Sequence, residues 1–202
     1  METKAEHSLL GLYRVHLDFT GKLVVDKIRR IGGLCIFWSD KVSVTLLSYS
    51  RFHINAQIGS HDLKVWHLKG MYGNPEPDQR CHAWTLIPRL KDLSTLPWLC
   101  FGDFNEILFD TENSGGSPQP RWLMENFREA LNYCDLDDLD GFSGPRFTWS
   151  NKRDRGLVQE RIDRAVCCYR WKQLFAFLNV LHLDFWSSDQ RALQIEVLDV
   201  KS

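Results

Sequence analysis

Residues 97–105 read Pro-Trp-Leu-Cys-Phe-Gly-Asp-Phe-Asn, and this stretch decides the fold. Pro97 to Phe101 is a short apolar run without alternation, the pattern of a buried strand. It runs straight into Gly102-Asp103-Phe104-Asn105, where polar groups return at once. Asp103 and Asn105 stand two residues apart, so an extended chain carries both on the same side. A buried strand that ends on a carboxylate and a carboxamide sets an expectation for the rest of the chain: polar clusters gathered in loops at strand ends.

Working outward, further strands surround this one. Gly32-Gly33 precedes the apolar run Leu34 to Trp38, another short buried strand. Phe52, Ile54, Ala56 and Ile58 alternate with their neighbours and predict a half-buried strand. Leu63 to Leu68 predicts one more, ending at the turn-rich Gly70-Met71-Tyr72-Gly73-Asn74-Pro75. The period then changes: Cys81, Trp84, Ile87 and Leu90 recur at helical spacing, with Pro88 expected to kink or end that helix. Ser114 to Pro120 is a Gly/Pro/Ser loop, and Leu123, Phe127, Ala130, Leu131 and Cys134 form an amphipathic stripe. The last third predicts strands at Arg146 to Trp149, Val158 to Val166, Val180 to Leu183 and Ala192 to Val197, with a helix around Tyr169 to Phe177. Strands outnumber helices without strict alternation. The expected fold class is therefore α/β (α+β): two packed β-sheets flanked by helices in a four-layer sandwich, one domain spanning 1–202.

Composition narrows the function. The chain has 202 residues with 25 Lys+Arg against 26 Asp+Glu, so no long-range field gathers nucleic acid and anion binding must be local. With 44% hydrophobic and 25% charged residues it has the make-up of a globular chain, not a disordered one. No apolar run approaches the roughly 18–20 residues that cross a bilayer, which argues against a membrane partner. The opening Met-Glu-Thr-Lys-Ala-Glu-His is polar and mixed in charge, unlike a secretory signal. The cysteines Cys35, Cys81, Cys100, Cys134, Cys167 and Cys168 form no CxxC pair or zinc spacing and read as reduced core thiols of a nuclear or cytosolic protein.

Two more polar clusters join Asp103 and Asn105. Arg161-Ile162-Asp163-Arg164 places Asp163 between two arginines, and Ser187-Ser188-Asp189-Gln190 precedes the last strand. Hard divalent cations favour oxygen ligands, and Mg²⁺ is often held by one or two carboxylates plus substrate phosphate and water. Such a set suits metal-assisted phosphodiester cleavage, although strand-end caps and ion pairs are the other reading that spacing alone allows.

Taken in order, Gly-Asp-Phe-Asn-Glu-Ile-Leu (102–108), Phe-Thr-Trp-Ser-Asn (147–151), Glu-Arg-Ile-Asp-Arg-Ala (160–165) and Ser-Asp-Gln-Arg (188–191) resemble the endonuclease/exonuclease/phosphatase superfamily. Within it they are most similar to the apurinic-endonuclease-like domain of plant LINE-type (non-LTR) retrotransposons. Gly32-Gly33-Leu34, Met71-Tyr72-Gly73 and Phe127-Arg128-Glu129-Ala130 agree, so the resemblance spans essentially the whole chain.

The resemblance implies a Mg²⁺ (or Mn²⁺) dependent DNA endonuclease. Glu2 would bind the metal, and Asp189 stands beside the catalytic position as a second candidate for the metal site. Tyr72 would contact the scissile phosphate, Asp103 would orient or activate the attacking water, and Asn105 would help hold that assembly. Asp163 would pair with the catalytic histidine, and Ser150 and Asn151 would border the substrate groove beside Trp149. Structural readings stand next to these: a solvated Glu2, a core Tyr72, an Asp163 that serves only Arg161 and Arg164, and a Trp149 that packs.

Two departures qualify the resemblance. The histidine position is Gln190, which donates neutral hydrogen bonds but cannot titrate, and loss of such a group typically removes about 10²–10⁴-fold in rate. The family's opening strand, with its supporting asparagine, has no counterpart before Glu2, so the domain is expected to be N-terminally truncated. Activity is accordingly expected to be weakened or absent. The other readings are a non-catalytic nucleic-acid-binding module or retroelement relic, or another phosphoesterase of the same superfamily.

Overall fold

The computed structural model describes residues 7–26, 33–60, 64–139, 141–153, 156–185 and 188–199. Glu2, expected as a metal ligand, lies outside the described residues.

The central layer is a six-stranded sheet built from β3 (Val42–Ser50), β4 (His53–Ser60), β5 (Val65–Tyr72), β6 (Trp98–Asp103), β8 (Leu136–Asp138) and β12 (Asp163–Cys168), in the order β3-β4-β5-β6-β12-β8. Only the β5–β6 pair is parallel. That geometry follows from the crossover between them, which contains helix α2 (Cys81–Asp92), since parallel neighbours cannot be joined by a tight hairpin. β4 is buried at His53, Ile54, Asn55, Ala56 and Ile58, so it is an interior strand covered on both faces and not the half-buried one its alternation predicts.

One face of this sheet carries α2 and α3 (Arg121–Tyr133), which meet at Phe127. Its ring stacks on Trp84 at 4.3 Å and lies 5.2 Å from Phe104. α2 does not end at Pro88 but continues to Asp92, because Ala83, Trp84, Ile87 and Leu90 are all buried and tertiary packing outweighs the lost amide. The carbonyl of Leu90, near the helix end, accepts a hydrogen bond from the buried Lys69 ammonium, which also sits 3.8 Å from the Trp98 ring centroid. Desolvation lowers the Lys69 pKa to about 8.

The opposite face is covered by two separate ladders. β1 (Gly21–Val25) and β2 (Leu34–Trp38) form one, preceded by α1 (His7–His16); β9 (Phe142–Ser143), β13 (Phe175–His182) and β14 (Leu193–Asp199) form the other, in the order β14-β13-β9. The expected second sheet is thus present as two pieces. The predicted helix around Tyr169 to Phe177 is one turn, α4 (Tyr169–Lys172), because the chain turns into β13 at Phe175. A third small sheet joins β7 (Asn113–Ser114), β10 (Trp149–Arg153) and β11 (Gly156–Glu160). The predicted strand Val158 to Val166 is therefore divided between β11 and β12, and that break frees Arg161 to turn inward.

No helix among the described residues is long and apolar enough to cross a membrane.

Candidate functional site

The site lies where β5 and β6 end and the antiparallel β12 begins. Tyr72 is the register partner of Asp103, and Asp103 is the partner of Asp163, so these three residues form one row across three strands. Asp103 and Asp163 are 2% and 0% exposed, and two facing acidic residues this enclosed are an unusual feature of the fold. Burial pushes the Asp163 carboxyl well above its usual range, and the Asp103 charge pushes it the same way. Neither Asp163 oxygen has a hydrogen-bond partner. The Thr148 hydroxyl lies close enough to oppose the upward shift without reaching hydrogen-bond geometry.

Asp103 and Asn105 converge, although not by strand alternation. Asn105 adopts a positive φ of 53°, a left-handed conformation that asparagine tolerates better than most residues. The resulting turn lets the Asn105 amide donate to Asp103 Oδ1 at 2.8 Å, while its side-chain Nδ2 donates to the Gly73 carbonyl at 2.9 Å. Between them Phe104 is fully buried in the α2–α3 core, so one apolar anchor fixes both polar neighbours. Close backbone contact below the turn requires glycine: a Cβ on Gly73 would stand 1.9 Å from the Phe104 carbonyl oxygen, and one on Gly102 would stand 2.2 Å from that of Met71.

Gln190 reaches this centre from the far end of the sequence. Its Nε2 donates to Asp103 Oδ2 at 2.6 Å. The loop that carries it is tied to β10: Gln190 forms a bridge with Trp149, the Ser150 amide donates to the Asp189 carbonyl at 2.9 Å, and the Arg191 amide donates to the Thr148 carbonyl at 2.7 Å. Trp149 Nε1 donates to Asp189 Oδ2 at 3.2 Å while its ring packs against Ile107, Met124 and Ile162. The tryptophan therefore both packs and orients Asp189, which is exposed at the rim.

Thr148 received no role from the sequence, yet it is the junction of these elements. Fully buried, its Oγ1 accepts hydrogen bonds from the Ile162 and Asp163 amides at 3.1 and 3.0 Å. Its own carbonyl holds the Gln190 loop through Arg191. The Phe-Thr-Trp-Ser phrase was the only signal for it.

Other expected residues fit less closely. Tyr72 is level with Asp103, but its ring belongs to the apolar cluster of Val25, Leu34 and Ile54. Ser150 reaches the site through its backbone, and Asn151 is exposed one residue further along β10. Arg161 and Arg164 are not partners of Asp163. They bind Glu112 and Asp138 in a buried cluster, with Arg161 Nη1 at 2.8 Å from Glu112 Oε1 and Arg164 Nη2 at 2.7 Å from Glu112 Oε2. Burial alone would raise the Glu112 carboxyl, but Arg164 and Arg161 hold it below its usual value. His53 and His67 are buried on β4 and β5, His182 is buried against Phe142 beside the Arg161 cluster, and His82 is exposed.

Among the described residues, no group of three or more His, Cys, Asp or Glu side chains is gathered closely enough to hold a metal ion. The available donors are oxygens, the kind hard divalent cations prefer, and the two unpartnered oxygens of Asp163 show that this centre is not closed on itself.

The arrangement defines a layered α/β protein whose acidic centre lies where adjacent strands end, walled by loops from both halves of the chain. Residues 6–190 match the Endonuclease/Exonuclease/phosphatase family, and the chain belongs to it. Among solved structures it is similar to the endonuclease domain of TRAS1, a telomere-specific non-LTR retrotransposon, with a TM-score of 0.70 and 15% identity over 96% of this chain and 93% of that one. It is also similar to the 3′-5′ exonuclease NExo from Neisseria meningitidis, with a TM-score of 0.67 and 14% identity over 98% and 86% of the two chains. The Neisseria 3′ phosphatase NExo bound to a product DNA hairpin gives a TM-score of 0.64 and 15% identity over 98% and 85%. These likenesses establish the fold. No curated protein sequence matches the chain.

Proposed function

We propose that the chain is a retroelement-derived DNA endonuclease domain whose hydrolytic activity is strongly reduced by glutamine at position 190. The observation that carries this reading is the convergence of Asp103, Asn105, Asp163 and Gln190, contributed by three separate segments, with Gln190 Nε2 donating to Asp103 Oδ2 at 2.6 Å.

In this reading Asp103 accepts a proton from the attacking water and orients it toward phosphorus, with Asn105 fixing the carboxylate through its backbone amide. Asp163 would hold a histidine at position 190. Beside glutamine it has no imidazole to orient, which agrees with its unpartnered oxygens. Gln190 can donate to a phosphate oxygen but cannot shuttle a proton. Tyr72 would contact the phosphate, and Ser150 and Asn151 would border the DNA. A divalent cation, Mg²⁺ or Mn²⁺, suits the oxygen donors; Asp189 and Glu2 would hold it, and it would supply charge neutralisation at the phosphate.

A supercoiled-plasmid nicking assay with Mg²⁺ tests this. The native chain is expected near background, and Gln190→His is expected to raise the rate by about 10²–10⁴-fold. Adding Asp103→Ala to Gln190→His should return it to background. Cleavage by the native chain that Asp103→Ala abolishes would overturn the claim of impairment. A folded but inactive Gln190→His would overturn the nuclease reading, and retained duplex binding in that case would favour a non-catalytic DNA-binding module.

A further inference from the structure

The glutamine at 190 does more than leave a histidine out: it makes a contact of its own. Its Nε2 stands 2.6 Å from Asp103 Oδ2, while the Asn105 amide donates to Oδ1 at 2.8 Å. Both carboxylate oxygens of Asp103 therefore hold a donor, and the residue is 2% exposed, so little of its surface is left for water. The neighbouring acid is treated differently. Asp163 is the register partner of Asp103, yet among the described residues neither of its carboxyl oxygens has a hydrogen-bond partner. Charge explains the preference. Burial and the Asp103 charge both push the Asp163 carboxyl toward its neutral form, which leaves Asp103 the charged member and the stronger acceptor for an amide N–H.

This contact bears directly on hydrolysis. A general base has to lie within about 2.6–3.2 Å of the atom whose proton it takes. The Gln190 nitrogen holds that position against Oδ2. A side-chain amide nitrogen donates and cannot accept, so it passes no proton on to Asp103. The bond also stabilises the carboxylate in its charged form and so weakens it as a base. The two donors differ in what can release them. The Asn105 amide is main chain in a left-handed turn with φ of 53°, whereas Gln190 is a half-buried side chain on the loop before β14.

We infer that Gln190 blocks the general base of this domain, its side-chain amide bonded to Asp103 in the place where the attacking water would stand. This role rests on the nuclease reading and adds to it. A missing imidazole and a blocked carboxylate are separate losses, and they predict different results for a shortened side chain at 190. If only the imidazole were missing, removing the amide would leave the rate unchanged or lower it. With the carboxylate blocked, removing the amide lets water reach Asp103 Oδ2 and raises the rate.

Plasmid nicking in Mg²⁺ compares the full native chain with Gln190→Ala, Gln190→Ser and Gln190→His, each checked for its fold by circular dichroism. Gln190→Ala and Gln190→Ser shorten the side chain so that it no longer bonds to Asp103, and each is expected to nick about tenfold or more faster than the native chain. Gln190→His should exceed both. Neither short variant surpassing the native rate, while Gln190→His does, overturns the block and leaves the nuclease reading standing. A folded Gln190→His at background overturns the nuclease reading and the block with it. Nuclear magnetic resonance reads the contact independently of cleavage. One Gln190 Hε2 proton is expected to lie downfield and exchange slowly, and to lose both properties in Asp103→Ala. Gln190 amide resonances that Asp103→Ala leaves unchanged overturn the block whatever the rates.

Discussion

Two groups of acids, buried or largely so, flank the break between β11 and β12, and they are treated in opposite ways. Glu112 and Asp138 meet Arg161 and Arg164 in a closed cluster, where Arg164 reaches Asp138 at 2.9 Å as well as Glu112. Arg164 is 0% exposed and also donates to the Arg161 carbonyl. Next to it in sequence, Asp163 faces Asp103 with neither oxygen hydrogen-bonded, and the Arg164 charge offsets only a small part of the upward push on its carboxyl. Adjacent positions of one strand, Asp163 and Arg164, point to the two groups. The comparison separates two kinds of burial: acids matched by cations are closed into the architecture, and acids left facing one another keep a strained, open centre.

Breaking the matched cluster should have the largest effect. Arg164→Ala strands Glu112 without its main partner and is expected to cost about 3–5 kcal/mol in urea unfolding at pH 7. A loss under about 1 kcal/mol would show that the cluster is ornamental and remove the contrast.

Lys69 supplies a third case, a buried cation with a carbonyl and a ring but no carboxylate. Its folded pKa of about 8 lies below the ordinary 10.5, so between those values the unfolded chain binds more protons and stability rises with pH. Relative to Lys69→Met, the native chain should gain up to roughly 3 kcal/mol across that window, and parallel slopes for the two proteins would refute the depressed value.

Asp163 titrates with the opposite consequence. Its carboxyl is raised in the fold, so its contribution is complete below about pH 4 and is lost as pH climbs through the folded value. Asp163→Asn is therefore expected to be more stable than the native chain by about 1–3 kcal/mol at pH 7, with the advantage shrinking toward pH 4 in paired urea titrations. An advantage that does not vary with pH contradicts the assignment.

The smallest effect belongs to a matched pair in water. Lys91 and Asp135 lie 2.8 Å apart, but Asp135 is 82% exposed, and Asp135→Asn should cost less than about 1 kcal/mol by thermal melt, diminishing further in salt. A larger loss would mean that burial is not what distinguishes the first cluster.

The mixed, layered sheet architecture was legible from the strand and helix patterns, even though the second sheet came in two pieces. That Asp103, Asn105, Asp163 and Gln190 belong together was an expectation carried by the resemblance of their short phrases to the family's, since no spacing links segments so far apart in the chain. Their convergence by a left-handed turn at Asn105 was not legible, since a positive φ leaves no periodic trace. The strand Arg146 to Trp149 was displaced onto β10, and Val158 to Val166 was cut in two, because Arg161 is drawn to Glu112 and Asp138, partners 49 and 23 residues away. Thr148 escaped notice for a similar reason: a lone hydroxyl in an apolar phrase says nothing of the two amides it will receive. α1 and β3 were also missed, the first with Leu12 and Tyr13 exposed, the second with Leu46, Leu47 and Tyr49 exposed. Apolar residues that face solvent blur the periodicity on which such readings depend.

Gly73 and Gly102 set an asymmetry in what mutation can reach. Any side chain at either one collides with main chain, so substitution there disturbs the fold itself. Gln190 instead sits on a loop tied to β10, and its side chain reaches the centre through a hydrogen bond to Asp103. Main-chain contact thus fixes the shape, while one side chain sets what that shape presents.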